Sequence, residues 1–325
     1  MANDAATVRV SEVLTRAPLL APDDVLSALA AWQREGRGTC LVTVVGIEGA
    51  GPRPVGAQMA VDETGRYFGY LSGGCLEQAV ALEAQATIRA GKNRLVRYGK
   101  GSPYFDVRLP CGSGLDLYFD QRIDSGVLAE IDAIRARREP AVLRTNLTTG
   151  KSALEARASG GLGGVLPASR RDGDAFLRTF LPPVRLLLIG SGPSVGALAR
   201  LAVLVGFELD VLSPDPATIA ELRQAAIGVQ ELTTPTLGSV ARPDSFTAVV
   251  LAFHEHDWEP PILAEALSTP AFYIGALGNR AVHAARLAAL RKMSISAGDV
   301  ARIRGPIGLV SGAKSRATLG LGIVT

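Results

Sequence analysis

Two of the three cysteines in this 325-residue chain stand in short glycine-rich segments. Cys75 follows a glycine pair in SGGCLEQ, and Cys111 precedes Gly112 in PCGSG. A cysteine thiolate is a nucleophile and also a ligand for soft metals. Glycines beside it allow a large group to approach the backbone closely. The pattern indicates a site at which sulfur meets a bulky ligand.

The residues after Cys75 predict a helix, because apolar side chains recur at helical spacing until Gly91. Cys75 then stands at the helix N-terminus, behind Ser72, Gly73 and Gly74. Free backbone N–H groups and the helix dipole stabilise a thiolate at such a position. We therefore expect Cys75 to be nucleophilic or metal-ligating.

Cys111 lies in a second loop, between Pro110 and Gly112, ahead of a predicted strand. Backbone amides in such a loop can face an anion. A third loop, GPRPVG, carries Arg53, which supplies a fixed cation. If the three loops converge, they form a site for an anionic ligand that also binds sulfur. The alternative is that the glycines make ordinary turns, with incidental thiols and a surface arginine.

The histidines give little indication of a metal centre. His254, His256 and His283 all lie in the second half of the chain, and the spacing of Cys75 and Cys111 does not match a zinc site. His254 and His256 flank an acidic residue, a pattern that could hold a metal. We prefer the interpretation that they are polar residues at the end of a strand, facing a crevice. No dedicated metal site is predicted.

The composition excludes several classes of function. The 34 basic and 31 acidic residues leave a net charge of only +3, and aromatic residues make up 5%, so a nucleic-acid partner is not expected. Apolar runs are too short to span a bilayer, and the N-terminus lacks the pattern of a secretory signal. Sparse, odd-numbered cysteines are typical of a reducing compartment. We expect a cytoplasmic protein without membrane contact.

The chain is predicted to form two α/β regions, residues 1–180 and 181–325. In the first, TCLVTVVGIEG predicts a buried strand that carries Cys40, whose thiol we expect only to pack. Residues 158–174, rich in glycine and polar residues, predict a linker of low order. After a double proline, strands and helices alternate, which is typical of a parallel sheet.

The second region opens with a glycine motif between a strand and a helix. Gly190, Gly192 and Gly196 form GxGxxxG, a placement at which N–H groups and the helix dipole can hold a nucleotide phosphate. The spacing is one residue longer than the usual GxGxxG. Ser213 stands where an acid would hold the ribose of NAD. The alternative is a tight turn in a Rossmann-like domain that binds no nucleotide.

Six segments, in order along the chain, carry a resemblance to a known family: GAGPRPVGAQMAV, GYLSGGCLEQAV, LPCGSGLDLYF, VRLLLIGSGPSVGALARLAVLVGF, YIGALGNR and RIRGPIGLVSGA. Together they resemble the XdhC/CoxI family, the accessory factors of molybdenum hydroxylases. The resemblance implies an N-terminal α/β domain followed by a Rossmann-like, parallel-sheet C-terminal domain. It also implies that Cys75 and Cys111 are the cysteines of the family's motifs.

The resemblance implies a function as well. Members of the family bind molybdenum cofactor and protect it while an oxo ligand is exchanged for sulfur with the help of a cysteine desulfurase. They then pass it to an apo-hydroxylase such as xanthine dehydrogenase. A thiolate could ligate or shield the molybdenum, while the pterin phosphate rests on glycine-loop amides and Arg53. We expect a homodimer that carries the cofactor rather than an enzyme, since no Ser-His-Asp order or HExxH motif is present.

The chain departs from the family's pattern at Ser213, at FHEHDWE, and at Arg316 and Thr318 near the C-terminus. These departures leave open a second function, an NAD(P)-dependent oxidoreductase in which GSGPSVG binds the dinucleotide. The lack of a proton donor near that motif counts against it. The sequence does not identify the client hydroxylase or the cysteine that ligates molybdenum.

Overall fold

The first sheet of the computed structural model is antiparallel, with its strands in the order β3-β2-β1-β5-β4. The structure describes residues 25–102, 112–155, 168–238 and 242–308. The strands of this sheet are β1 (Thr39–Glu48), β2 (Gln58–Asp62), β3 (Tyr67–Gly69), β4 (Arg94–Gly99) and β5 (Gly114–Asp120). Their apolar, β-branched composition suits a pleated sheet that is covered on both faces.

Helices α1 (Val25–Arg34) and α2 (Glu77–Ala90) cover the two faces of this sheet. Successive side chains of a strand point to opposite faces, so β1 serves two cores. Cys40 and its alternate neighbours pack with α2, whereas Leu41 packs with α1. The predicted buried strand that carries Cys40 is present as β1.

A second antiparallel sheet follows, with its strands in the order β7-β6-β9-β8. It comprises β6 (Ala141–Asn146), β7 (Ser152–Leu154), β8 (Arg170–Asp172) and β9 (Ala175–Phe180), and it is preceded by helix α3 (Ser125–Ala136). This sheet shares a core with α1 and α3. The prediction of low order for 158–174 is wrong for β8, which pairs with β9. The signal was absent because all three residues of β8 are exposed and charged.

The third sheet is wholly parallel, with its strands in the order β12-β11-β10-β13-β14-β15. Its strands are β10 (Arg185–Gly190), β11 (Glu208–Ser213), β12 (Gln230–Glu231), β13 (Thr247–Ala252), β14 (Tyr273–Ala276) and β15 (Ile303–Arg304). Its helices are α4 (Pro193–Leu204), α5 (Pro216–Gln224), α6 (Glu259–Leu267), α7 (Arg280–Lys292) and α8 (Ala297–Val300). Separate apolar cores lie on its two faces. The predicted α/β class, with a Rossmann-like C-terminal half, is confirmed.

Arg138 connects α3 to the parallel sheet. Its guanidinium donates to the carboxylates of Asp244 and Glu208, and to the carbonyl oxygen of Pro183 at 3.1 Å. The side chain is only 18% exposed, so these charge-assisted bonds lie in a partly dry environment.

Among the helices of the described residues, none combines the length and apolar character needed to cross a membrane.

Candidate functional site

Three connecting segments lie at the same end of the strands of the first sheet. Strands β1, β3 and β4 run in one direction, antiparallel to β2 and β5. The carboxyl ends of the first three therefore lie beside the amino ends of the other two, as in the pairing of Glu48 with Gly114. Three segments adjoin this end of the sheet. We name them the arginine loop (49–57), the cysteine loop (70–76) and the Ser113 segment (112–113).

The arginine loop contacts both of the other segments. The Arg53 guanidinium lies 4.5 Å from the centroid of the Tyr70 ring, and its Nη1 donates to the Tyr70 hydroxyl at 3.3 Å. On the other side, a Cβ at Gly49 would lie 3.6 Å from the Cα of Ser113. The arginine loop thus meets the cysteine loop and the segment that begins at Gly112. Cys111 itself lies outside the described residues.

Cys75 is exposed together with Gly73 and Gly74, although Ser72 before this turn and Leu76 after it are buried. Gly73 and Gly74 have φ angles of 81° and 113°, a region that only glycine enters readily. A Cβ at either glycine would meet nothing within 4 Å, so the space above the turn is open. The loop therefore presents its thiol to the outside, with room for a large ligand.

The carboxylate of Glu77 holds this loop from within. Its Oε1 accepts from the N–H groups of Leu71 and Ser72 at 2.8 and 2.7 Å. Its Oε2 accepts from the Ser72 hydroxyl at 2.8 Å and from the N–H groups of Gly74 and Leu76 at 2.9 and 3.2 Å. The Glu77 side chain is buried, which favours the neutral acid, yet the bonds from Ser72 and Leu71 outweigh burial and lower its pKa to about 2.

This arrangement corrects the predicted source of anion binding at the cysteine loop. Helix α2 begins at Glu77, two residues after Cys75, so the cysteine precedes the first turn. The N–H groups of Ser72 and Gly74, which we expected to face a bound anion, donate to Glu77 instead. The sequence signal for this contact was an acid at the start of an apolar helix, behind a serine.

Cys40 differs from Cys75 in the exposure of its thiol. It is fully buried in β1, and burial, reinforced by the nearby charges of Asp120 and Glu83, raises the pKa of its thiol well above the usual value. The prediction that Cys40 only packs is supported by this placement. Of the described cysteines, Cys75 is the one whose sulfur is accessible.

The glycine motif of the parallel sheet is shaped by the protein's own contacts. A Cβ at Gly190 would lie 2.1 Å from the carbonyl oxygen of Ala252, so only glycine fits there. Gly192 has a φ of 85° and precedes α4, but its N–H donates to the Thr218 hydroxyl at 2.8 Å. Gly196 lies against Glu221 of the neighbouring helix α5. Nucleotide binding by these glycines stays a prediction.

The residues at the end of β11, where a ribose would bind, also form hydrogen bonds within the protein. Ser213, at the end of β11, is fully buried, and its hydroxyl accepts from the N–H of Asp215 at 3.2 Å. Asp215 caps α5 by accepting from the N–H groups of Ala217 and Thr218. The acid nearest to this strand end thus completes a helix cap and is not presented to a ribose.

The histidines lie near the carboxyl ends of the parallel strands. His254 lies close to Gly192, and His256 Nδ1 is 3.2 Å from Glu259 Oε1. Glu259 in turn forms a buried ion pair with Arg286. Within the described ranges, no group of three or more His, Cys, Asp or Glu residues could hold a metal ion. His254 follows the end of β13 at Ala252, and His256 begins a short 3-10 helix after it.

Comparison with known proteins gives two family matches. Residues 186–325 match the XdhC Rossmann domain, and residues 32–99 match the XdhC and CoxI family. The second match covers both the arginine loop and the cysteine loop.

Similar proteins cover most of the chain. The molybdenum cofactor insertion chaperone PaoD of Escherichia coli is 34% identical over 293 residues, which cover 89% of this chain and 82% of PaoD. A Bacillus subtilis protein described as a probable xanthine dehydrogenase subunit is 27% identical, over 78% of this chain and 83% of its own. A crystal structure described as a xanthine dehydrogenase from Bacillus halodurans shares the fold, with a TM-score of 0.73 and 20% identity over 92% of this chain and 93% of that one.

Proposed function

Because the chain belongs to the XdhC and CoxI family, we propose that it binds molybdenum cofactor and supports its sulfuration. It then delivers the cofactor to an apo molybdenum hydroxylase of the xanthine dehydrogenase type. The name of the Escherichia coli relative, a molybdenum cofactor insertion chaperone, supports an insertion factor rather than a catalytic enzyme. The cofactor is the cargo of this protein, and the hydroxylase is the enzyme that uses it.

The observation that carries the proposal is the exposed thiol of Cys75 on a fixed loop beside Arg53. Molybdenum in a dithiolene environment favours soft ligands, and a thiolate is such a ligand. Glu77 fixes the loop by five hydrogen bonds, so Cys75 is presented without a large ordering cost. The open space above Gly73 and Gly74 accommodates a cofactor.

Sulfuration adds a requirement for a sulfur donor. We include a cysteine desulfurase as the donor and a homodimer as the working form of the chain. Light scattering of the purified protein measures the oligomeric state, and co-purification with the desulfurase measures that partnership. A monomer in solution would contradict the homodimer. A desulfurase that never co-purifies with the chain would contradict the partnership.

The cofactor-binding part is tested by expressing the chain in two hosts, one able and one unable to make molybdopterin. After purification and oxidation, pterin fluorescence should appear only in protein from the first host. Cys75→Ser should lose most of this pterin, because the soft ligand is replaced by a hydroxyl. Cys40→Ala is the matched control, since it removes a buried thiol and should retain the pterin.

Delivery is tested by mixing the loaded chain with an apo hydroxylase of the xanthine dehydrogenase type. The wild-type chain should restore hydroxylase activity, and Cys75→Ser should restore much less at equal protein concentration. Wild-type protein that carries no pterin from either host, or that carries the same amount as Cys75→Ser, would contradict the proposal.

A further inference from the structure

A cleft of about 580 Å³ opens beside the arginine loop. Its walls come from the arginine loop, from the end of α3, from β9 and from the double proline that leads into the parallel sheet. The volume lies within the range of about 300–1,000 Å³ that is common for small-molecule sites. The cleft is therefore large enough for an organic ligand and not only for an inorganic ion.

Three arginines line this cleft, namely Arg53, Arg135 and Arg178. They come from three different elements, so the fold and not a local motif brings them together. Among the described residues that form the lining, none is acidic. A lining with three guanidinium groups attracts anions, and partial burial strengthens that attraction.

Contacts within the protein hold the arginines in position, and Arg135 Nη1 also lies 3.7 Å from a carboxylate oxygen of Asp132. Arg178 Nη1 donates to the Ser169 hydroxyl at 3.2 Å, and its guanidinium lies 4.8 Å from the ring centroid of Phe180. Arg135 Nε donates to the carbonyl oxygen of Leu181 at 3.3 Å. A guanidinium has five N–H donors in a planar fork, so one group can bond within the protein and to a phosphate at the same time.

The remaining lining suits a flat organic group. Leu26, Val55, Phe180 and Leu181 contribute apolar surface, and Gln58 adds an amide. Recognition sites for small molecules combine such apolar walls with a few polar anchors. The ligand that fits is a planar, partly apolar molecule that carries phosphate.

Arg53 links this cleft to the exposed thiol. It lines the cleft and also contacts Tyr70, the first residue of the cysteine loop. The N–H groups of Ser72 and Gly74 are engaged by Glu77, so they do not supply a phosphate site. Arg53 is thus a cation that the cysteine loop and the cleft share.

We propose that the cleft lined by Arg53, Arg135 and Arg178 binds the phosphate-bearing end of the cofactor, while the metal end faces Cys75. This inference rests on the proposed function, because it names a second binding region for the same cargo. The phosphate forms charge-assisted hydrogen bonds with the guanidinium groups, and the apolar wall receives the planar pterin.

The first experiment uses chain purified from the host that cannot make molybdopterin, with inorganic pyrophosphate as the probe. Calorimetric titration should give saturable binding that weakens with salt. Arg178→Gln and Arg135→Gln should each weaken it at least about tenfold, since a hydrogen-bonded charge pair is lost. Arg144→Gln, an exposed arginine on the neighbouring strand β6, is the matched control and should bind as the wild type does.

The second experiment measures retained pterin in the same variants from the host that makes molybdopterin. Arg178→Gln and Arg135→Gln should lose pterin although Cys75 is intact, and circular dichroism should show that they are folded. If Arg178→Gln fails to fold, Arg135→Gln still tests the cleft. Arg135 lies in the last turn of α3, where a substitution disturbs the fold less.

The outcomes separate the two proposals. Wild-type chain without any pterin contradicts the proposed function, whatever pyrophosphate does. Wild-type chain with pterin, together with folded cleft variants that keep the same amount, overturns the cleft assignment and leaves the function standing. Pyrophosphate binding that is absent, or equal in all variants, also overturns the cleft assignment.

Discussion

The hydroxyl of Ser72 donates to the carboxylate of Glu77 at 2.8 Å, and this contact closes the loop that exposes Cys75. The Ser72 side chain makes a second contact, because its Oγ accepts from the N–H of Leu76 at 2.9 Å. The loop is therefore bonded to itself through two buried side chains. The sulfur of Cys75 is exposed at the surface, while the charge that fixes its loop is buried.

Replacing Glu77 by glutamine should destabilise the protein and loosen the cysteine loop. The carboxylate accepts five hydrogen bonds, and a neutral amide cannot accept from all of these donors. We expect the free energy of unfolding at pH 7 to fall by about 2 kcal/mol. Urea denaturation measures it, with Glu130→Gln, an exposed position on α3, as the control. Equal midpoints for the two variants would show that the loop does not depend on this charge.

The effect of Glu77 should also depend on pH. Its pKa is about 2 in the folded protein, below the ordinary 4.5, so its charge stabilises the folded state at neutral pH by about 2 kcal/mol, since solvent screens part of the effect. This contribution is complete above about pH 5, declines as the pH falls, and is lost below about pH 2. The difference in stability between wild type and Glu77→Gln should narrow over that window. A difference that stays constant down to pH 3 contradicts the assigned pKa.

Cys75 and Cys40 should differ in their rates of alkylation. Cys75 is exposed, whereas Cys40 is fully buried and burial raises the pKa of its thiol. Iodoacetamide should therefore label Cys75 in the native protein and label Cys40 only after unfolding. Peptide mapping by mass spectrometry distinguishes the two sites. Native labelling of Cys40 at a comparable rate would contradict its placement in the core.

Local sequence signals were sufficient for much of the fold. The strand that carries Cys40 is apolar and β-branched, and α2 has helical spacing and a glycine stop at Gly91, whose φ is 63°. Alternating strands and helices after residue 181 predicted the parallel sheet. These signals depend on neighbours in the sequence, so they can be interpreted without knowledge of tertiary contacts.

Other features depend on contacts between distant segments. The strand Arg170–Asp172 has no apolar alternation, and its pairing with β9 decides its conformation. The role of Glu77 depends on the path of the loop around Gly73 and Gly74, which its side chain must reach. The three cleft arginines come from separate elements and share no motif. The sequence thus suggested Arg53 and Cys75 as candidates but not the groups that surround them.

The contact between Gly192 and Thr218 leads to a test of the two functions that the sequence left open. Thr218 is buried, and its hydroxyl accepts the Gly192 N–H that would otherwise face a pyrophosphate. We expect titration of the wild type with NADH or NADPH to give no saturable change in fluorescence. Thr218→Val should lower the free energy of unfolding by about 1 kcal/mol, because this N–H loses its partner. Saturable binding with substrate turnover would restore the oxidoreductase alternative.

Arg286 and Glu259 form an ion pair whose side chains are each only 1% exposed, and it joins helices α6 and α7. Arg286 Nε and Nη2 donate to the Glu259 carboxylate at 2.8 and 3.0 Å, and Nη2 also donates to the Leu277 carbonyl oxygen at 2.7 Å. Removing one partner leaves the other charge buried without its counter-ion. We expect Arg286→Met and Glu259→Met each to lower the free energy of unfolding by about 3–5 kcal/mol.

The double variant Glu259→Met/Arg286→Met should be more stable than the sum of the single effects implies. It leaves no buried charge, and the two methionines can fill the space between the helices. Urea denaturation of all four proteins gives a double-mutant cycle, from which we expect a coupling energy of about 2–3 kcal/mol. Strictly additive effects would mean that the two side chains do not interact in the folded protein. The loss in each single variant would then come from contacts outside the ion pair, such as the bond from Arg286 to the Leu277 carbonyl oxygen.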